Sequence, residues 1–77
     1  MHYTITSMEN YDGTQILSLD SCGNQYQVGH YDKLSSKYAH KQFRTLDEAE
    51  AVFLKVAKCF IRTTHSAEDR AAMILNA

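Results

Sequence analysis

The chain has no proline and no tryptophan, and only three glycines and two cysteines. Without proline, its turns must be marked by glycine and the Asx residues. Two cysteines in 77 residues fall short of the disulfide framework that a secreted domain this small usually needs. Cys22 stands in a turn-like SCGN and Cys59 in a helical pattern. Two free thiols in a reducing cytoplasm are therefore expected. No apolar run approaches the ~18 residues of a membrane span. MHYTITS has neither the basic start nor the apolar block of a signal peptide, and no lipidation motif is present. A formal net charge of −1 gives neither the strongly basic face of a protein that grips a nucleic-acid backbone nor the acidic excess of a DNA mimic.

What is present reads as one small α+β domain over residues 1–77. A chain this short buries only about 60% of its unfolded surface, so its core is thin. Residues 2–8 alternate, with Tyr3 and Ile5 on one face and Thr4 and Thr6 on the other, and favour a strand. Asp12-Gly13 predicts a two-residue type I′ hairpin turn. Residues 14–20 form the return strand, with Leu17 and Leu19 on one face. Gly23 and Asn24 predict a second turn with left-handed conformers. Residues 25–31 alternate again, placing Tyr26, Val28 and His30 together, and Gly29 marks a bulge or a close backbone approach. Residues 37–44 read as an edge strand, with Ala39 and Phe43 facing in and Lys41 between them.

Thr45 and Glu48 predict a capping box. Leu46, Ala49, Val52, Phe53, Val56, Ala57 and Phe60 then recur at helical spacing to about Arg62. Ser66 with Asp69 predicts a second cap, and a short helix follows with Ala67, Ala71, Ile74 and Leu75 on its apolar face. The expectation is an antiparallel meander of three to four strands, covered on one side by a long and a short helix.

Chemistry is sparse. His2, His30, His40 and His65 with Cys22 and Cys59 show none of the paired short spacings of a zinc site, so no metal and no cofactor are expected. Cys22 with His30 is the one nucleophile–base pair a hairpin could bring close, and the strand rise sets them far apart. No pair of carboxylates stands out as acid and base, and there is no glycine-rich phosphate loop. A non-enzymatic protein is expected. The 30–44 segment interleaves bases with Tyr31 and Tyr38, a pattern that can stack and hold single-stranded nucleic acid. Leu54 and Ile61 form an apolar line beside the main helical stripe, to be covered by Ile74 and Leu75 or left as a patch for a partner or a homodimer. Tyrosine is enriched at binding hot spots; Tyr3 and Tyr26 are assigned to the core.

Phe43, Thr45, Glu48, Ala49 and Phe53 resemble the sheet-to-helix corner of WGR-type nucleic-acid-binding modules, although the Trp-Gly-Arg signature itself is absent. In size and architecture the chain is similar to small phage-encoded inhibitors, the anti-CRISPR proteins among them. That resemblance implies a non-catalytic protein that occupies the surface of a bacterial defence complex, a ribonucleoprotein of the CRISPR-Cas type, in the host cytoplasm. The expected contact residues are Tyr11, Tyr31, Lys33, Lys37, Tyr38, Lys41 and Arg44, with Leu54 and Ile61 as a second patch. The alternative is a nucleic-acid-binding accessory domain using the basic 30–44 segment.

Overall fold

The structure is a computed structural model and describes residues 2–61 and 66–77, apart from the Ile61 side chain. Strands β1 (His2–Glu9), β2 (Gln15–Cys22), β3 (Gln25–Asp32) and β4 (Lys37–Phe43) form one antiparallel sheet in chain order. Helices α1 (Leu46–Ile61) and α2 (Ala67–Leu75) follow. α1 packs on β2, β3 and β4, and α2 on β3, β4 and α1. This is the α+β meander with its helices on one face. The predicted end of the first helix at Arg62 lies outside the described residues.

Register explains which side chains enter the core. Leu17 pairs with His30 and Leu19 with Val28, so the inward residues of the two central strands sit side by side under the helices. Ala49, Phe53, Val56 and Phe60 of α1 and Ile74 of α2 complete the buried cluster, with Tyr26 and Phe43 packed at its margin. β1 departs from simple alternation. Thr4 pairs with Asp20 and Thr6 with Leu19, so Ile5 is the extra residue of a bulge. The bulge reverses the parity of the strand, and Met8 and Thr6 take the inward face instead of Ile5. Tyr3 regains that face opposite Ser21 but is 57% exposed, which removes it from the core.

The turns also differ in detail. Ser36 is the one non-glycine residue with positive φ among those described, so Asp12 and Asn24 do not adopt left-handed conformers. Gly13 closes a longer loop over 10–14, in which its N–H donates to Asn10 O and the Asn10 and Gln15 backbones pair. Gly23 carries positive φ at the first central position of the Cys22–Gln25 turn, the signature of type II′. Of the two caps, Ser66–Asp69 closes in both directions. At Thr45 the backbone N–H of Glu48 donates to the threonine hydroxyl, and that hydroxyl donates to the glutamate carboxylate.

The largest departure from the predicted pattern is polar. Leu46 and Leu75 are 37% and 55% exposed, whereas Arg70 is 3% and His30 1% exposed. Arg70 Nη1 donates to Gln15 Oε1 at 2.8 Å and Nη2 to Cys59 O at 2.7 Å, while the guanidinium lies over the Phe60 ring. His30 Nε2 donates to the same Gln15 Oε1 at 2.9 Å. Burial first, and then the Arg70 charge, hold the His30 pKa below its ordinary 6.5, against an opposing pull from Asp32. The imidazole is therefore neutral in the folded chain at pH 7.

The sign of the pH dependence follows. Below 6.5 the unfolded chain binds a proton at this position before the folded chain does. The stability contributed by neutral His30 is complete above 6.5 and is lost as the pH falls from there through the lower folded value. Urea unfolding should show a midpoint that drops between pH 7.5 and pH 5 more in the wild type than in His30→Gln; equal drops would contradict the assignment.

Candidate interaction surface

An antiparallel meander returns its first and third connections to the same end of the sheet. Here the 10–14 and 33–36 loops are joined there by Lys33 N–H donating to Thr14 O at 2.8 Å. Each loop is also organised internally. Asp12 Oδ1 accepts from the Thr14 hydroxyl and backbone N–H, and these bonds hold its carboxyl below the ordinary 3.8. Asp32 accepts from the Ser35 hydroxyl and the Leu34 N–H, with the same effect and cause. Aspartate side chains that bond two residues onward fix a turn without help from a core.

On these tied loops Tyr11 is 94% and Leu34 81% exposed. Tyr31 and Tyr38 face each other across β3 and β4 at the same end, and Lys33 and Lys37 flank them in exposed positions. Five of the predicted contact residues, Tyr11, Tyr31, Lys33, Lys37 and Tyr38, thus share one end of the molecule. Leu34, the one apolar residue of its loop, joins them. A cavity of about 640 Å³ opens beside this end, between β4 and the start of α2. Ala39, Ala67, Ala71 and Leu75 form part of its wall, with Lys37 and Tyr38 on the sheet side.

The other predicted contacts fall elsewhere. Lys41 lies on the helix side, where its ammonium donates to Ala77 O and sits 6.0 Å from the Phe43 ring. Arg44 follows β4 at the opposite end of the sheet. Strand alternation sends Lys37 and Lys41 to one face and Tyr38 and His40 to the other. The basic segment is therefore divided, and its bases and rings do not interleave on one surface. Leu54 remains 49% exposed and uncovered by Leu75, which is itself exposed, while Ile74 is fully buried in the core; the Ile61 side chain lies outside the description.

Among the described residues no helix covers the other sheet face. Tyr38 lies across Gly29 there, stacks on His40 with centroids 5.1 Å apart, and accepts a hydrogen bond from Gln27 Nε2 at 2.9 Å. Burial, then the Asp20 charge, raise the Tyr38 phenol above its ordinary 10.0, so it keeps its proton. Further along the face, cross-strand pairing puts His2 opposite Cys22. Cys22 Sγ is 3.8 Å from His2 Nδ1, and His2 Nε2 is 3.4 Å from Asp20 Oδ2. The cysteine's neighbour is thus His2 and not His30, which points into the core. The three groups are strung along the two edges of one imidazole, so they cannot converge on a single ion. No group of three or more His, Cys, Asp or Glu among the described residues is arranged to hold a metal. His65 lies outside them. Cys22 and Cys59 are unbridged.

Tyr38 requires glycine beneath it. A Cβ at Gly29 would come within 3.0 Å of its ring Cε1 and Cζ and closer still to its hydroxyl. Gly29→Ala should cost about 1–2 kcal/mol in urea unfolding through crowding, and little or nothing in a Tyr38→Ala background; equal costs in both would contradict the contact. No protein-family model, no curated protein and no solved structure matches this chain.

Proposed function

We propose that the chain is a non-catalytic interaction protein that docks on a protein partner through the loop end of its sheet. The observation that carries this reading is that two largely exposed apolar side chains, Tyr11 and Leu34, sit on loops joined by the Lys33–Thr14 backbone hydrogen bond. A monomer gains nothing from holding large apolar groups in water, and such patches mark binding surfaces. Fixing the loops beforehand lowers the ordering cost of association. Tyr31 and Tyr38 extend the patch, Lys33 and Lys37 give it a basic rim, and the neighbouring cavity could receive an apolar side chain of the partner.

The partner class we propose is a bacterial defence complex of the CRISPR-Cas type, met in the host cytoplasm. Support for that class is the resemblance in size and architecture to small phage-encoded inhibitors. No helix among the described residues is long and apolar enough to cross a membrane. The nucleic-acid reading loses support because the basic segment is split between two faces.

The test is affinity capture from bacterial lysate, repeated with Tyr11→Ser/Leu34→Ser. The wild type should retain a protein partner at moderate salt, and the double variant should weaken that binding by roughly tenfold or more. Retention of the same partner by the variant with unchanged affinity would contradict the proposed surface. Recovery of nucleic acid alone, released steeply by salt, would contradict the proposed partner.

A further inference from the structure

We propose that Cys22 is a reactive thiol, activated by His2 and Asp20, that exchanges with low-molecular-weight disulfides and carries the resulting mixed disulfide. The site lies at the β2–β3 turn, at the opposite end of the sheet from Tyr11 and Leu34, so it is independent of the proposed docking surface.

Asp20 is 5% exposed, on the sheet face that no helix among the described residues covers. Its Oδ2 is shared between His2 Nε2 at 3.4 Å and the Ser18 hydroxyl at 3.5 Å. Its Oδ1 is buried and has no partner among the described residues. A carboxylate withdrawn from water with one oxygen unbonded is costly, and positive charge beside it offsets that cost. The other nitrogen of the imidazole that contacts this carboxylate, Nδ1, faces Cys22 Sγ at 3.8 Å. Nucleophile, base and a buried acidic group that orients the base are thus in line, the arrangement that activates a nucleophile. Such contacts are often loose before a substrate is bound.

The exchange balances without a further reactant. His2 Nδ1 takes the Cys22 thiol proton, and the thiolate attacks one sulfur of the small disulfide. A new S–S bond forms to Cys22 as the old one breaks, and the departing thiolate takes the proton from His2. The products are the mixed disulfide and one free small thiol. Cys22 is oxidised and half of the small disulfide is reduced. Cys59 is buried in α1, on the side of the sheet away from Cys22, so no second thiol of this chain is placed to resolve the adduct. Cys22 is half-exposed, and the Gly23-Asn24 turn beside it is exposed.

Oxidised glutathione at pH 7.4 is the probe, with the site of addition read by peptide mass spectrometry. Cys22 in the folded chain should react on the order of tenfold faster than Cys22 in the urea-unfolded chain at matched urea-corrected conditions, and Cys59 should react only after unfolding. His2→Ala should remove the acceleration, and added imidazole should restore part of it, a rescue that a purely structural role would not show. His2 is largely exposed near the end of the edge strand β1, so this variant is expected to fold. Asp20→Asn should give a rate between the two. Equal rates for folded and unfolded wild type, or an unchanged rate in His2→Ala, would overturn the proposal.

Discussion

The buried guanidinium of Arg70 is the constraint on which the arrangement depends. One side chain from the last helix reaches the first residue of β2 through Gln15 Oε1, the last turn of α1 through Cys59 O, and the core through the face of Phe60. A cation at the last turn of α1 also suits the negative end of the helix dipole. Gln15 Oε1 accepts from both Arg70 and His30, and the Arg70 charge helps to keep His30 neutral beneath the helices. In a domain whose apolar core is thin, a buried polar network of this kind ties the helical layer to the sheet.

The same tie reaches the proposed binding surface. Gln15 is held by its side chain from within, while its backbone closes the 10–14 loop against Asn10 and its N–H donates to Asn10 Oδ1. The loop that presents Tyr11 therefore has its base anchored to the core. Lys33 bonds to Thr14, which passes that restraint to the loop carrying Leu34. The helix that bears Arg70, α2, also supplies one wall of the nearby cavity. Burial order, helix docking and loop geometry are thus linked through one acceptor oxygen.

Much of the fold was legible because its signals are local. Alternation at Leu17–Leu19 and Tyr26–Val28–His30, the glycines at 13 and 23, and the 3.6-residue stripe of α1 each specify their own element. What was not legible depends on pairs distant in sequence. Arg70 shares a helical face with Ile74, a hint that it points inward, but its acceptor lies 55 residues earlier. The bulge at Ile5 reverses the strand's parity, so period alone puts Ile5 on the face that Thr6 and Met8 take. The basic 30–44 segment looks continuous as a string and is divided by the pleat. At Cys22 the neighbouring base is His2, on the first strand, and only the β1–β2 register brings the two together; Tyr11, Tyr31 and Tyr38 were identifiable as contacts, but not the tie between their loops.

A double-mutant cycle between Gln15 and Arg70 tests this account most directly. Gln15→Leu, Arg70→Met and the double variant would be compared with the wild type by urea unfolding at pH 7.5. If the two side chains act as one polar tie, each single change already loses the Arg70–Gln15 bond, and the double change should cost less than the sum by about 1 kcal/mol or more. Additive costs would show that Arg70 and Gln15 stabilise the chain independently and would contradict the central claim.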